Sequence, residues 1–124
     1  MGFTQTGTVH HFLLAREGGA IQVEVRDLQD RATLAAVRTH LQLIAASFSK
    51  GDFSIPNFVH GKPPDGIGEM QKQKEKIDYV YEELPAGARV NIRARGKKGL
   101  QAVQAFLRFQ ITEHQTGDPL KISQ

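Results

Sequence analysis

Cysteine is absent from the 124-residue chain, which excludes a disulfide framework, a thiolate metal site and a cysteine nucleophile. No apolar run approaches the roughly 20 residues of a membrane span, so no membrane-embedded segment is expected. The first fifteen residues lack a basic start followed by an apolar block, and no signal peptide is read there. The cytoplasm is the default compartment, and a secreted form would require a leader removed ahead of Met1. Ser47, Ser49, Ser54 and Ser123 carry no nucleophile-elbow pattern. Gly66-Ile67-Gly68 does not follow a predicted strand, so a dinucleotide fingerprint is unsupported. Compact metal signatures such as H-x-x-x-H are missing as well. No reaction, and so no enzyme class, follows from these residues.

What is present suits one soluble domain over residues 1–124, with 40% hydrophobic and 23% charged residues. The formal net charge is +3. It is carried by the second half, because residues 1–60 hold five Lys/Arg against five Asp/Glu and residues 61–124 hold eleven against eight. This is a mild basic balance rather than a strong polyanion footprint.

Hydropathy periods divide the chain. Thr6 to Ala15 reads as a strand ahead of a Glu17-Gly18-Gly19 turn. Ile21, Val23 and Val25 alternate with Gln22, Glu24 and Arg26, the period-2 pattern of a half-buried strand. Asp27 and Asp30 are candidate N-caps for a helix over 30–50. That helix carries the stripe Leu34, Val37, Leu41, Ile44 and Phe48, and Gly51 closes it. A Pro/Gly-rich connection follows, with Asp65 as the cap of a short polar helix over about 68–76. Ile77 to Glu83 is a third strand. A two-residue turn at Pro85-Ala86 places Tyr81 opposite Val90, Tyr79 opposite Ile92 and Ile77 opposite Ala94. On the other face it pairs Glu82 with Arg89 and Asp78 with Arg93. The last helix spans 98–116, with Leu100, Val103, Leu107 and Ile111 inward and Gly117-Asp118-Pro119 as its stop.

Residues 34–52 align without a gap on 100–118, with six of nineteen positions identical, including Gly51-Asp52 on Gly117-Asp118. Each helix follows a hairpin, so the reading is a duplicated β-β-α unit. The pseudo-repeats are 6–52 and 77–118, the linker is 53–76 and the tail is 119–124. The fold class is α+β: a four-stranded antiparallel sheet with two helices on one face, and a short helix in the connection. The equivalent positions Leu43 and Phe109, with His40 and Phe106 and with Ala36 and Ala102, form a helix edge. This edge is expected to meet the other helix or a second subunit, which makes a non-catalytic homodimeric module one functional reading.

The leading reading concerns His10, His11, His40, His60 and His114. Imidazole is the usual ligand for zinc, nickel or copper, and no cysteine competes. Adjacent strand residues point to opposite faces, so one of His10 and His11 faces the helices. A two-residue turn puts His10 inward, and a three-residue loop ending at Gly18 puts His11 inward. His114 takes the place that Phe48 holds in the first helix, His60 sits in the loop, and His40 flanks its stripe. A divalent-metal site assembled from these histidines, with Glu113 and Asp118 near His114 in sequence, is the expectation. A third reading is weak polyanion binding by Arg89, Arg93, Arg95, Lys97 and Lys98, with Lys72, Lys74 and Lys76 upstream. Cross-strand acids and the lack of interleaved aromatics weigh against nucleic acid as the partner.

Overall fold

A computed structural model describes residues 7–52 and 66–114, with side chains through Thr112. Its elements are β1 (Thr8–Ala15), β2 (Gly18–Val25), α1 (Arg31–Ser49), α2 (Ile67–Lys72), β3 (Ile77–Leu84), β4 (Gly87–Ala94) and α3 (Lys97–His114). A single 3-10 turn, Lys74–Lys76, joins α2 to β3. The strands form one antiparallel sheet in the order β1-β2-β4-β3. No helix among the described residues is long and apolar enough to cross a membrane.

The β3–β4 register matches the alternation residue for residue: Ile77 faces Ala94, Tyr79 faces Ile92, Tyr81 faces Val90 and Glu82 faces Arg89. The first hairpin differs from expectation. Ala15 pairs with Gly18, so Arg16 and Glu17 form the turn and both glycines lie inside β2. Contact with the neighbouring strands explains them. A Cβ on Gly18 would stand 2.1 Å from the Ile92 carbonyl oxygen of β4, and one on Gly19 would meet the Leu13 carbonyl oxygen of β1 at 2.0 Å, with Leu107 Cδ1 of α3 at 2.5 Å. The shift leaves Phe12, Leu14, Ile21 and Val23 on the inner face, because moving a two-residue turn along the chain by one residue preserves strand parity.

A shift of 69 residues carries Thr8 onto Ile77 and Gly18 onto Gly87, and with them the whole register of the first hairpin onto the second. Ile21 lies opposite Val90, its own counterpart under that shift. A local two-fold axis therefore passes between them. Gly18 meets the Ile92 carbonyl, and its counterpart Gly87 meets the Val23 carbonyl, with a Cβ there 2.0 Å from the oxygen. The two glycines satisfy one constraint at related places.

α1 begins at Asp30, whose carboxylate accepts from the Thr33 backbone N–H at 3.1 Å and from its hydroxyl at 2.7 Å. This satisfies a donor that the first helical turn leaves free. Asp27 is not the cap; its carboxylate accepts from Gln29 N–H in the preceding turn. At the other end Gly51, at φ +80°, lets its own N–H and that of Asp52 return to the Phe48 and Ser47 carbonyls. α2 is shorter than the 68–76 expectation, because the chain tightens into the 3-10 turn after Lys72. Its cap position is Gly66, with no side-chain cap bond. The proposed cap Asp65 and the stop at Gly117-Asp118-Pro119 lie outside the described residues.

The helices cross over. α1 follows β2 but packs mainly on β3 and β4, whereas α3 follows β4 and packs most heavily on β1. Arg38 of α1 donates to the Leu84 carbonyl at 2.7 Å and the Gly87 carbonyl at 3.3 Å, which pins the second hairpin tip beneath α1. Phe48 meets Tyr79 edge-on at 5.6 Å and Phe106 at 5.9 Å. One aromatic thus joins α1, β3 and α3 in a shared interior. α2 lies along α3, and a Cβ on Gly66 would stand 2.2 Å from the Ala102 carbonyl oxygen. Ala102 and Phe106 are consequently buried rather than forming an open edge, while Leu43 is 53% exposed.

Candidate nucleic-acid interface

Among the described residues the histidines build no metal-holding group. His10 stands on the inner face in the register of Val23 and Ala88, and His11 stands on the outer face opposite Gln22. Strand parity sends the pair to opposite sides of the sheet, so at most one of them serves any single site. His40 is half-buried on the flank of α1. His60 lies outside the described residues, and His114 ends α3 with its side chain outside them. Among the described residues no group of three or more His, Asp or Glu is placed to hold a metal ion.

Burial lowers the His40 imidazole below its ordinary value of 6.5. With the folded value below the unfolded one, the unfolded chain takes up the proton first as pH falls. The stability from a neutral His40 is complete above about 6.5 and is lost as pH falls from there toward the depressed value. Melting temperature is therefore expected to fall between pH 7.5 and 5 more steeply in the wild type than in His40→Gln. Superimposable profiles would remove His40 as the cause.

The outer sheet face holds a cross-strand row His11–Gln22–Arg89–Glu82. Arg89 donates twice to Gln22 Oε1, at 2.9 and 2.7 Å, and pairs with Glu82 at 3.6 Å. Gln22 in turn donates to Glu24, and Asn91 donates to Glu82. Arg93 stands opposite Asp78 as the register predicts, but its ion pair is with Glu17, at 3.2 Å. Asp78 instead lies 3.9 Å from Arg95. The acceptors for Arg89 and Arg93 lie within this face, so it presents compensated charge.

Excess positive charge collects at one end of the molecule. The Ile77–Ala94 pairing brings the chain before β3 against the chain after β4. The Arg95 N–H donates to the Lys76 carbonyl at 2.7 Å, and its guanidinium donates to the Glu75 carbonyl at 2.6 Å. Lys72, Lys74, Lys76, Arg95, Lys97 and Lys98 are all exposed there. Glu75, Lys76, Arg95 and Gly96 line a shallow groove of about 460 Å³. Among the described residues the acids at this end are Glu69, which accepts from the Gln73 amide and keeps its charge, Glu75, Asp78 and Asp52, the last beside Gly51 and so near Lys74.

The start of α3 breaks a local electrostatic rule. Its first turn contains no acid and opens on Lys97-Lys98. The amino end of a helix carries partial positive charge, so each lysine there costs about 0.3–1 kcal/mol relative to an acid. An anion at this end relieves both the dipole and the lysines. In sequence these lysines group with Arg89, Arg93 and Arg95 as one patch, and the fold divides it: Arg89 and Arg93 stay on the sheet face, and the others lie past the strand ends. The signal for that division was available in the predicted Ile77–Ala94 pairing, which makes Lys76 and Arg95 neighbours. Comparison with protein-family models, with characterised protein sequences and with solved structures finds no match to this chain.

Proposed function

We propose that the chain is a non-catalytic domain that holds the phosphate backbone of a nucleic-acid duplex through its basic end, without reading sequence. One observation carries this reading: Lys72–Lys76 and Arg95–Lys98, separated in sequence, converge on one exposed end of the fold. Lysine and arginine clusters bind duplexes by releasing condensed counterions. A duplex suits this end better than a single strand, because single-strand sites add aromatic platforms for the bases. Tyr79 and Tyr81 stand on the inner sheet face instead. The salt-dependent, sequence-independent mode supports a Kd of about 10⁻⁴–10⁻⁶ M at physiological salt.

The test is fluorescence anisotropy with a labelled duplex over a range of sodium chloride. Wild-type affinity is expected to fall steeply with salt. Lys76→Gln/Lys97→Gln is expected to lower the slope of log K against log salt by about 2, since each phosphate left without its lysine removes about 0.9 from the slope. Arg93→Gln on the sheet face is expected to leave the slope unchanged. A salt-independent wild type, or a double variant that binds like it, sinks the proposal.

A further inference from the structure

We infer that the outer face of the sheet is the contact surface of a homodimer, with two copies stacked face to face about a two-fold axis parallel to the strands. No described element covers this face. Its two strand arginines are already held, Arg89 by Gln22 and Glu82 and Arg93 by Glu17. Covering it therefore strands no arginine among those pairs, and unpaired buried charge is the usual obstacle to such contacts.

The pattern of side chains selects a second copy as the occupant. One cross-strand row runs Leu13–Ala20–Asn91–Val80, and the next but one runs Val9–Glu24–Gly87–Leu84. In each row the outer, edge-strand positions are apolar and the polar group is central. Val80 is 58% exposed although it lies on a strand. An axis parallel to the strands lays β1 of one copy over β3 of the other. Leu13 then covers the partner's Val80, and Val9 covers the partner's Leu84. The middle row brings His11 over the partner's Glu82, a base against an acid. Aligned sheets stack about 10 Å apart with this kind of interdigitation. A polyanion finds no such match here, because the arginines are occupied.

Size sets the expected strength. Four strands of this length cover roughly 500 Å² per copy in projection. Stable interfaces bury about 800 Å² per partner, so a weak, concentration-dependent dimer is expected.

Sedimentation velocity of the full chain over a concentration series tests this. The wild type is expected to move from monomer to dimer. Val80→Asp is expected to raise the dissociation constant tenfold or more while melting like the wild type. Leu43→Asp, on the outer surface of α1, is expected to leave the dimer intact. A wild type that remains monomeric up to about 1 mM would overturn the inference. So would a dimer lost in Leu43→Asp and kept in Val80→Asp.

Discussion

Phe48→Ala is expected to cost about 3–5 kcal/mol, the usual range for emptying a buried phenylalanine site. Phe48 is fully buried, and its ring meets those of Tyr79 and Phe106. Those two neighbours come from β3 and α3, so the cavity would open where three elements meet and no single one can collapse into it. The Tyr79 hydroxyl adds to the cost of disturbance. It is buried without a hydrogen-bond partner, and burial pushes its phenol well above the ordinary range. Domains of this kind are stable by only about 5–15 kcal/mol, so the variant should lose a large share of its folding free energy. Urea unfolding followed by circular dichroism measures it. A loss below about 1 kcal/mol would mean that the three rings do not bear on one another.

Gly18→Ala is expected to cost about 2–4 kcal/mol, through a different cause. The added methyl would stand 2.1 Å from the Ile92 carbonyl oxygen and 2.9 Å from its carbon, both backbone atoms of the adjoining strand. Relief requires β2 to part from β4, which breaks the central pairing of the sheet. The residue also sits at φ +151°, a conformation that side-chain-bearing residues rarely adopt. Gly87→Ala should behave similarly, since its methyl would meet the Val23 carbonyl at 2.0 Å. Gly68→Ala provides the contrast. Nothing lies within 4 Å of a Cβ there, and alanine favours the helix by up to about 1 kcal/mol. Equal melting temperatures for the Gly18 and Gly68 variants would contradict the close strand approach.

The elements differ in how openly the sequence declares them, and each difference has a cause. The second hairpin was readable residue by residue because Pro85-Ala86 leaves one short turn and the flanking residues alternate without interruption. The first hairpin misled, since Gly18 and Gly19 look like turn residues when strand order is unknown. Gly18 is there because the Ile92 carbonyl of β4, more than seventy positions away, lies against it, and Gly19 because the Leu13 carbonyl and the Leu107 side chain do. α1 was readable from its stripe and from Gly51. Phe106 sits at the flank of its own stripe and reads as a helix edge, yet it is fully buried. The missing information was the cover from Phe48 and α2, a helix that buries only Ile67 and Met70 and so leaves a faint apolar signal. Parity alone separates His10 from His11 in the sequence, whereas which of the two faces inward needed the register of the first hairpin, which settles it as His10. The residues of the basic end were legible in the sequence, but grouping Arg89 and Arg93 with them hid that those two are held by acceptors on the sheet face while Lys72–Lys76 and Arg95–Lys98 meet past the strand ends.

Gln110 marks a second place where local chemistry and environment disagree. It is fully buried one helical turn beyond Phe106, and neither amide atom has a hydrogen-bond partner. Ile44, the residue aligned with it in the sequence of α1, is as fully buried and is aliphatic. A buried, unsatisfied amide costs about 1–3 kcal/mol. By contrast, Gln104 is buried but donates to the Ala15 carbonyl at 3.1 Å, and so ties α3 to the first hairpin.

The crossing of the helices governs the order in which the molecule can be completed on the ribosome. β1 and β2 emerge first, but α3, which roofs β1, is the last described element to leave the exit tunnel. α1 likewise waits for β3 and β4. Neither half can close its interior alone, and contacts between distant segments are slow to form. Burial of Phe12 and Leu14 therefore waits until α3 has emerged, and until then the inner face of the nascent first hairpin lacks its main cover.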